Sequence, residues 1–391
     1  MARLAGDDFA TAFNPLHTGH KFLFDEAKKR GAERIVCVMS GNTVQRGGFA
    51  MADKYLRAEA AVRCGADLVL ELPFPWSSGS AAYFSRAAVY ILRDFADTLI
   101  FGSEIADTAL LWQMAHTVSS AEFQESFSAR TAAGEGAAAV YAEELKKRGF
   151  PALGSNDLLA VGYLAALYGL APDCKVETVR RSGASYTERE ILQAAEFQSA
   201  GALRRLWQSG RAEDAARYMP PDSYACFCRA RDAGELTEPW RLDAALLALF
   251  RLADAEELSV FAECGGGVAQ RLCRAAAQTA DFPAWLEAAR TKCYTDARLR
   301  RGILFGATEV TRDLLNSAPA YTTLLAASGQ GRALLSEKRR SGGIPVVTKP
   351  ADAPKDSPQF AAGNRADALF TLARRCGESL AEQLKKSAFF S

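Results

Sequence analysis

An α/β fold, a parallel sheet covered on both faces that passes into a mainly helical second half, is the class this 391-residue chain predicts. Three observations carry the prediction. Short apolar runs without polar alternation, "RIVCVMSGN", "DLVLELPFP" and "TLIFGSE", are separated by helix-patterned segments over the first hundred residues, as expected for strands buried on both sides. Each run closes on Gly, Pro, Ser or Asn, the residues that stop strands. From about residue 211 to 336 the pattern is then mostly helical.

Taken in order, the first strand falls on "DDFATAF", poorer in β-branched residues than its partners, and ends near Phe13 because Asn14-Pro15 is a turn dipeptide. Thr18 is an N-cap candidate, and "GHKFLFDEAKKRGA" keeps helical periodicity to a closing glycine. After the strand "RIVCVMSGN", Gln45-Arg46-Gly47 lies in a polar, glycine-containing loop whose length fits a lid over substrate. "DKYLRAEAAVRCGA" is a helix that stops at glycine; "DLVLELPFP" is a strand closed by prolines; "SGSAAYFSRAAVYILRDF" is an amphipathic helix; "TLIFGSE" is the next strand. Helices are expected over 107–149 and 155–169, a strand at "KVETVRR", and a loop with a helical pair in "SGASYTEREILQAAEFQSAGALRRL". A last strand-like piece, "GIPVVTK", precedes the loop "PADAPKDSPQFAAGN" and a closing helix, and the division into two parts falls near 207–212.

Hydrophobic content of 49% and charged content of 24% suit an ordinary globular protein. The net charge of +1 gives no global field for a polyanion, so nucleic-acid contact requires a local patch. No stretch approaches the roughly 18 apolar residues of a membrane span, and the N-terminal residues do not resemble a signal peptide. Nine scattered cysteines without a C-x-x-C point to a reduced, cytoplasmic protein.

The stretch "AFNPLHTGHKFL" holds two of the three histidines, His17 and His20. Both fall at a helix N-terminus directly after a strand, where unpaired N–H groups and the helix dipole favour an anion. Gly19 lets a phosphate approach the backbone, and side chains one turn apart share a face. A zinc site needs a third ligand, and the remaining His116 has no carboxylate or cysteine pattern around it. The motif contains no Ser or Cys nucleophile, and simple capping leaves two scarce histidines in one turn unexplained. The residues point to a phosphate cradle.

This H-x-G-H after a first strand resembles the nucleotidylyltransferase superfamily, and "QSAGALRR" (Ser199, Arg204) resembles its second phosphate-reaching element. Longer blocks are similar to one family, the tRNA(Met) cytidine acetate ligases: "MSGNTVQRGGFAMADKYLRAEAAVRCGADLVLELPFPW", "FGSE", "SNDLLAVGYLAAL", "VRRSGASY", "TKCYTDARLRRGILF" and "SGQGRALLSEKRRSGGIPVVTK", in the family's order and over nearly the whole chain. The resemblance implies a Rossmann-like parallel-sheet nucleotidylyltransferase domain over 1–210 that binds ATP, followed by a mainly helical, basic-patched tRNA-binding region over 211–391. It implies acetylation of N4 of the wobble cytidine of elongator tRNA(Met) from acetate and ATP, through an acetyl-adenylate, with Mg2+ accompanying the nucleotide. The catalytic pair it implies is His17 and His20, with ATP contacts from Phe13, Asn14, Gly19, Gly102, Asn156, Arg181, Ser199 and Arg204. The chain departs from the family pattern at Ala12, where an acidic residue is usual, at Ser155-Asn156-Asp157 in place of Pro-Asn-Asn, and at Cys293 in place of Arg.

Local charge supplies the RNA side. "TKCYTDARLRR" places Lys292, Arg298, Arg300 and Arg301 on a helix opposed only by Asp296, and "SEKRRSGGIPVVTK" adds Lys338, Arg339, Arg340 and Lys349. Such patches neutralise phosphates without reading sequence. Two rival readings are adenylyl transfer to a small phosphorylated metabolite, which leaves the basic helical half without a purpose, and a catalytically impaired ATP- and tRNA-binding homologue.

Overall fold

The computed structural model describes residues 3–181 and 197–391. Its first part alternates as the sequence predicts: β1 (Arg3–Thr11), α1 (Thr18–Lys29), β2 (Arg34–Ser40), a hairpin of β3 (Thr43–Val44) and β4 (Gly48–Phe49), α2 (Lys54–Arg63), β5 (Leu68–Leu72), α3 (Ala81–Leu92), β6 (Thr98–Ser103), α4 (Thr108–Ser119), α5 (Ala121–Ala132), α6 (Ala137–Lys147), α7 (Ser155–Leu170), β7 (Lys175–Arg180) and α8 (Ala200–Gln208). Most of the expected loop and helical pair, and the end of the "VRRSGASY" block, lie outside the described residues.

Helices from Pro221–Asp232 to Arg312–Asn316 form the second part. The chain then returns through β8 (Thr322–Ala327), the helix Gly329–Ser341, β9 (Val346–Val347), the helix Pro358–Leu372 and β10 (Phe389–Phe390). One eight-stranded sheet results, in the order β10-β8-β5-β2-β1-β6-β7, with β9 beside β8. Strands β5, β2, β1, β6 and β7 are mutually parallel, and β8 joins β5 antiparallel. A division at 210/211 therefore does not follow the sheet: three strands of the later part pair into it. "TTLLAA" reads as a continuation of helix because its six residues show no alternation, and its partner β5 is some 250 residues earlier in the chain.

Period-2 side-chain alternation fills a core on each face. Val36 and Val38 of β2 pack in the cluster with α3, α4 and α7, while Ile35, Cys37 and Met39 pack with α1 and α2. A separate core, with Phe250, Leu272 and Trp285, sits in the helical part. The Trp285 indole donates to the Leu272 carbonyl at 2.9 Å. The helical part is seated on the β3–β4 hairpin. A Cβ at Gly47 would stand 2.6 Å from the Arg301 backbone nitrogen, and Gly47 has φ +71°, so glycine alone fits. The polar loop expected as a lid is thus a hairpin docked on the helix Asp296–Ala307.

Topology places the site. From β1 the chain moves to β2 and β5 on one side, and from β6 to β7 on the other. The carboxyl ends of β1 and β6, adjacent in the sheet, mark the switch point where open α/β sheets bind ligands.

Candidate functional site

The turn after β1 brings both histidines to that crevice. His17, not Thr18, is the N-cap of α1: its Nδ1 accepts from the Gly19 N–H at 3.1 Å. The His17 N–H in turn donates to Nδ1 of His20 at 3.0 Å. This is a capping box built from two imidazoles. Each ring accepts at Nδ1, so each neutral imidazole carries its proton on Nε2, the far side of the ring. Both side chains are buried, and their rings stack with centroids 3.7 Å apart. Burial, and then the charge of Arg181, lower the His20 pKa to about 3, which holds the ring neutral.

Phe13 is fully buried at φ +39°, a left-handed conformation unusual for an aromatic residue. Its ring packs edge-on against His20 at 5.2 Å and Phe24 at 5.9 Å. The Phe13 side chain therefore supports His20 instead of reaching outward. Asn14 is occupied as well: Oδ1 accepts from the Met51 N–H at 2.8 Å, and its carbonyl accepts from Arg204 Nη1 at 2.7 Å. Arg204 thus clamps the turn from α8. Ser199 is the N-cap of α8 and accepts from the Ala202 N–H. The adjoining Phe197 lies beside the cradle, 3.7 Å from where a Gly19 Cβ would stand.

Across the crevice, Gly102 is buried in β6, opposite Val179 of β7. Asn156 is held from both ends: Nδ2 donates to Glu104 at 2.6 Å, and Oδ1 accepts from Arg181 Nη1 at 3.4 Å. Arg181, just past β7, couples electrically to His20 as well. His17, Gly19, His20, Asn156, Arg181 and the Ser199 turn therefore converge on one place.

Two carboxylates to which sequence reasoning gave no role build this wall. Glu104 caps α7 from outside, accepting the Asp157 N–H at 2.9 Å. Gly154 is needed there, since a Cβ would lie 2.7 Å from the Glu104 carboxyl carbon. Asp157, where the family pattern has Asn, accepts from the Ser103 hydroxyl and from the Glu104 N–H at 3.0 Å. Burial pushes the Asp157 carboxyl above the ordinary aspartate value, and the Glu104 charge adds to it. Both acids are turned onto protein donors. Among the described residues no group of three or more His, Cys, Asp or Glu side chains is arranged to hold a metal. Their positions in "FGSE" and "SNDLL" were the only linear signal.

The basic patches divide. Lys292, Arg339 and Arg340 are exposed, and Lys338 is half-buried. Arg300 lies over the Phe282 ring, 5.0 Å from its centroid. Arg301 and Arg298 instead pair with Glu263, at 3.0 and 3.5 Å. These two were expected at RNA phosphates. The acid that takes them up lies outside the linear block, so a local charge count could not register it.

No helix of the described residues is long and apolar enough to cross a membrane. A profile of the HIGH Nucleotidyl Transferase family matches residues 9–385. The tRNA(Met) cytidine acetate ligase of Syntrophotalea carbinolica is 33% identical over 86% of this chain and 83% of its own length. That of Acetivibrio thermocellus is 31% identical over 87% of both. The crystal structure of apo Thermotoga maritima TmcAL superposes with a TM-score of 0.89 at 26% identity, covering 100% of this chain and 99% of that one. The same protein bound with alpha-thio ATP gives 0.86 at 25% identity, covering 100% of both chains.

Proposed function

The chain belongs to the HIGH nucleotidyl transferase family and, within it, to the tRNA(Met) cytidine acetate ligases, and from that premise we propose how its own residues perform the reaction. It is an ATP-dependent ligase that acetylates N4 of the wobble cytidine of elongator tRNA(Met), using acetate and passing through an acetyl-adenylate. Acetate is a poor electrophile. Its carboxylate must first attack the α-phosphate of ATP and expel pyrophosphate, after which the mixed anhydride drives transfer to the weakly nucleophilic amine. The enzyme's task in the first step is to position the reactants and stabilise developing charge.

The observation that carries this reading is the imidazole capping box. Two rings locked by their own Nδ1 bonds hold Nε2–H donors at a helix N-terminus, with no rotation left to arrest when charge develops. Neutral donors suit a phosphate that must also release pyrophosphate. Arg181 supplies the cation, Asn156 fixes the Arg181 fork, and Gly19 and Gly102 give the nucleotide access to backbone. Ser199 and Arg204 fix the opposite rim. Magnesium is expected to arrive on the triphosphate, and no step here runs through it. Lys292, Arg300, Arg339 and Arg340 supply the salt-sensitive part of tRNA affinity, and the reaction takes place in the cytoplasm.

Nucleoside mass spectrometry tests the reading. Incubation of tRNA(Met) with the protein, ATP and acetate gives N4-acetylcytidine at the wobble position. Pyrophosphate release that does not depend on acetate, with no acetylated nucleoside, would refute it.

A further inference from the structure

Two acids meet at the N-terminus of α7, and each binds the backbone of the other. Glu104, at the carboxyl end of β6, accepts the Asp157 N–H at 2.9 Å and the Asn156 side-chain amide at 2.6 Å. Asp157 accepts the Glu104 N–H at 3.0 Å through Oδ1, the oxygen that also takes the Ser103 hydroxyl. The Ile105 N–H is shared between Oδ1 and Oδ2, at 3.3 Å from each. This reciprocal bonding sets the two carboxyl groups side by side, within hydrogen-bond reach of one another. Asp157 is only 1% exposed. Glu104 is needed as an acceptor, because it holds Asn156 and, through Asn156, Arg181.

Two adjoining carboxylates repel when both are ionised, so the pair takes up one proton more readily than an isolated acid does. Burial, and then the Glu104 charge, raise the Asp157 carboxyl, against the bond from Ser103. The surrounding elements direct their charges elsewhere. From β7, Arg180 donates to the Glu104 and Ile105 carbonyls at 3.5 and 3.3 Å, and Arg181 donates to Asn156. At the start of α4, Asp107 caps the Leu110 N–H at 3.0 Å. Helix α3 meets α7 at Gly162 through Ala81 and Ser85, neither of which titrates. From α1, the neutral His20 faces Arg181.

We propose that Asp157 is a positioning residue that shares one proton with Glu104 and so ties the ATP affinity of this chain to pH. Protonated, Asp157 donates its O–H to the Glu104 carboxylate, as a side-chain amide at the same position would. One negative charge then stands behind Asn156 and Arg181. Ionised, it adds a second negative charge there and weakens the hold of Arg181 on the phosphates. The inference rests on the ATP site described above and concerns how tightly that site holds its nucleotide. ATP is itself an anion, so it binds better to the singly charged pair, and by linkage its binding draws a proton onto the pair. Compared with an amide at 157, the wild-type chain is therefore equal in acid and falls behind as rising pH ionises the pair.

The test is calorimetric ATP binding to the full chain across the acid-to-alkaline range, for wild type, Asp157→Asn and Glu104→Gln. Either amide supplies the donor permanently, so neither variant has a proton to share. Titration of ATP and of the histidines is common to all three proteins and cancels in the ratio of Kd values. The wild-type Kd matches that of Asp157→Asn at about pH 5 and is about three- to tenfold weaker at about pH 8, the effect of one partly screened charge. Wild type also takes up a larger fraction of a proton on binding than either variant, read from buffers of different ionisation enthalpy. A constant ratio across the range, with equal proton uptake in wild type and Asp157→Asn, would overturn the role of Asp157 and leave ATP binding standing. Retention of the wild-type pH dependence in Glu104→Gln would overturn the pairing. A wild-type chain that binds no ATP at any pH would instead overturn the function above, and this inference with it.

Discussion

Replacing His20 separates two jobs that one ring performs. In the native turn, Nδ1 accepts the His17 N–H at 3.0 Å, while the ring stacks on His17 and meets the edge of Phe13. His20→Ala strands that buried N–H, which costs about 1–3 kcal/mol. It also loses two aromatic contacts worth about 0.5–1.5 kcal/mol each, for a total of roughly 2–6 kcal/mol. His20→Asn differs in one respect. Its side-chain carbonyl oxygen stands where Nδ1 stood and accepts the same N–H, so the capping loss is recovered and only the ring contacts are missing. Neither variant carries a donor at the Nε2 position. Removing one preorganised donor from a developing oxyanion lowers turnover by about 10²–10³, and both variants should lose that much acetate-dependent pyrophosphate exchange. Urea unfolding then ranks stability as wild type, Asn, Ala, whereas exchange separates wild type from both. Wild-type exchange in His20→Asn would refute the phosphate role. Equal destabilisation of the two variants would refute the capping argument.

Two further predictions follow from charge. His20 is held at about 3 in the folded chain against 6.5 as its ordinary value, so between these the unfolded state binds the extra proton. Its neutral burial costs nothing above pH about 6.5 and is penalised as pH falls, by roughly 2 kcal/mol near pH 5; the stability gap between wild type and His20→Asn should narrow on acidification, and a pH-independent gap in urea titrations would contradict this. Arg301→Ala breaks a largely buried bond to Glu263 and should destabilise by about 1.5–3 kcal/mol, whereas Arg300→Ala should cost less, about 0.5–1 kcal/mol for its contact with the Phe282 ring, and reduce the salt slope of tRNA binding by about 1; interchange of these two behaviours would show that the surface has been misread.

What is legible in the sequence is local. The strand, the Asn14-Pro15 turn and the helix start are encoded within a dozen residues, so those residues alone suffice to locate the histidine cradle. The cap itself moves one residue, from Thr18 to His17, because an imidazole Nδ1 reaches the Gly19 N–H, and no propensity scale registers that. Strand β1 runs over Arg3–Thr11, longer than its apolar content suggests, because parallel pairing to both β2 and β6 holds it. Contacts distant in sequence are illegible. Glu104 caps a helix that begins some 50 residues later, Glu263 neutralises Arg298 and Arg301 from outside their block, and β8 pairs with β5, a strand some 250 residues before it. Each depends on a partner that composition and spacing cannot name.

Arg57 shows how these distant contacts make one site. Its side chain is fully buried and donates to the carbonyls of Ala12, Ser40, Gly41 and Ala52. Burial pushes its pKa down to about 10, opposed by the charges of Asp53 and Glu71, so it stays protonated at neutral pH. Five donors in a rigid fork suit four converging carbonyls, a task that a lysine with three donors cannot match. Position 12, where the family pattern has an acid, therefore contributes to this network through its backbone. The charge balance around the guanidinium comes from Asp53 and Glu71, and Glu71 also pairs with the buried Lys54 ammonium at 2.8 Å. The alanine at the head of the histidine motif leaves the cradle anchored, and the anchor is the guanidinium that ties the turn after β1 to the carboxyl end of β2 through Ser40 and Gly41.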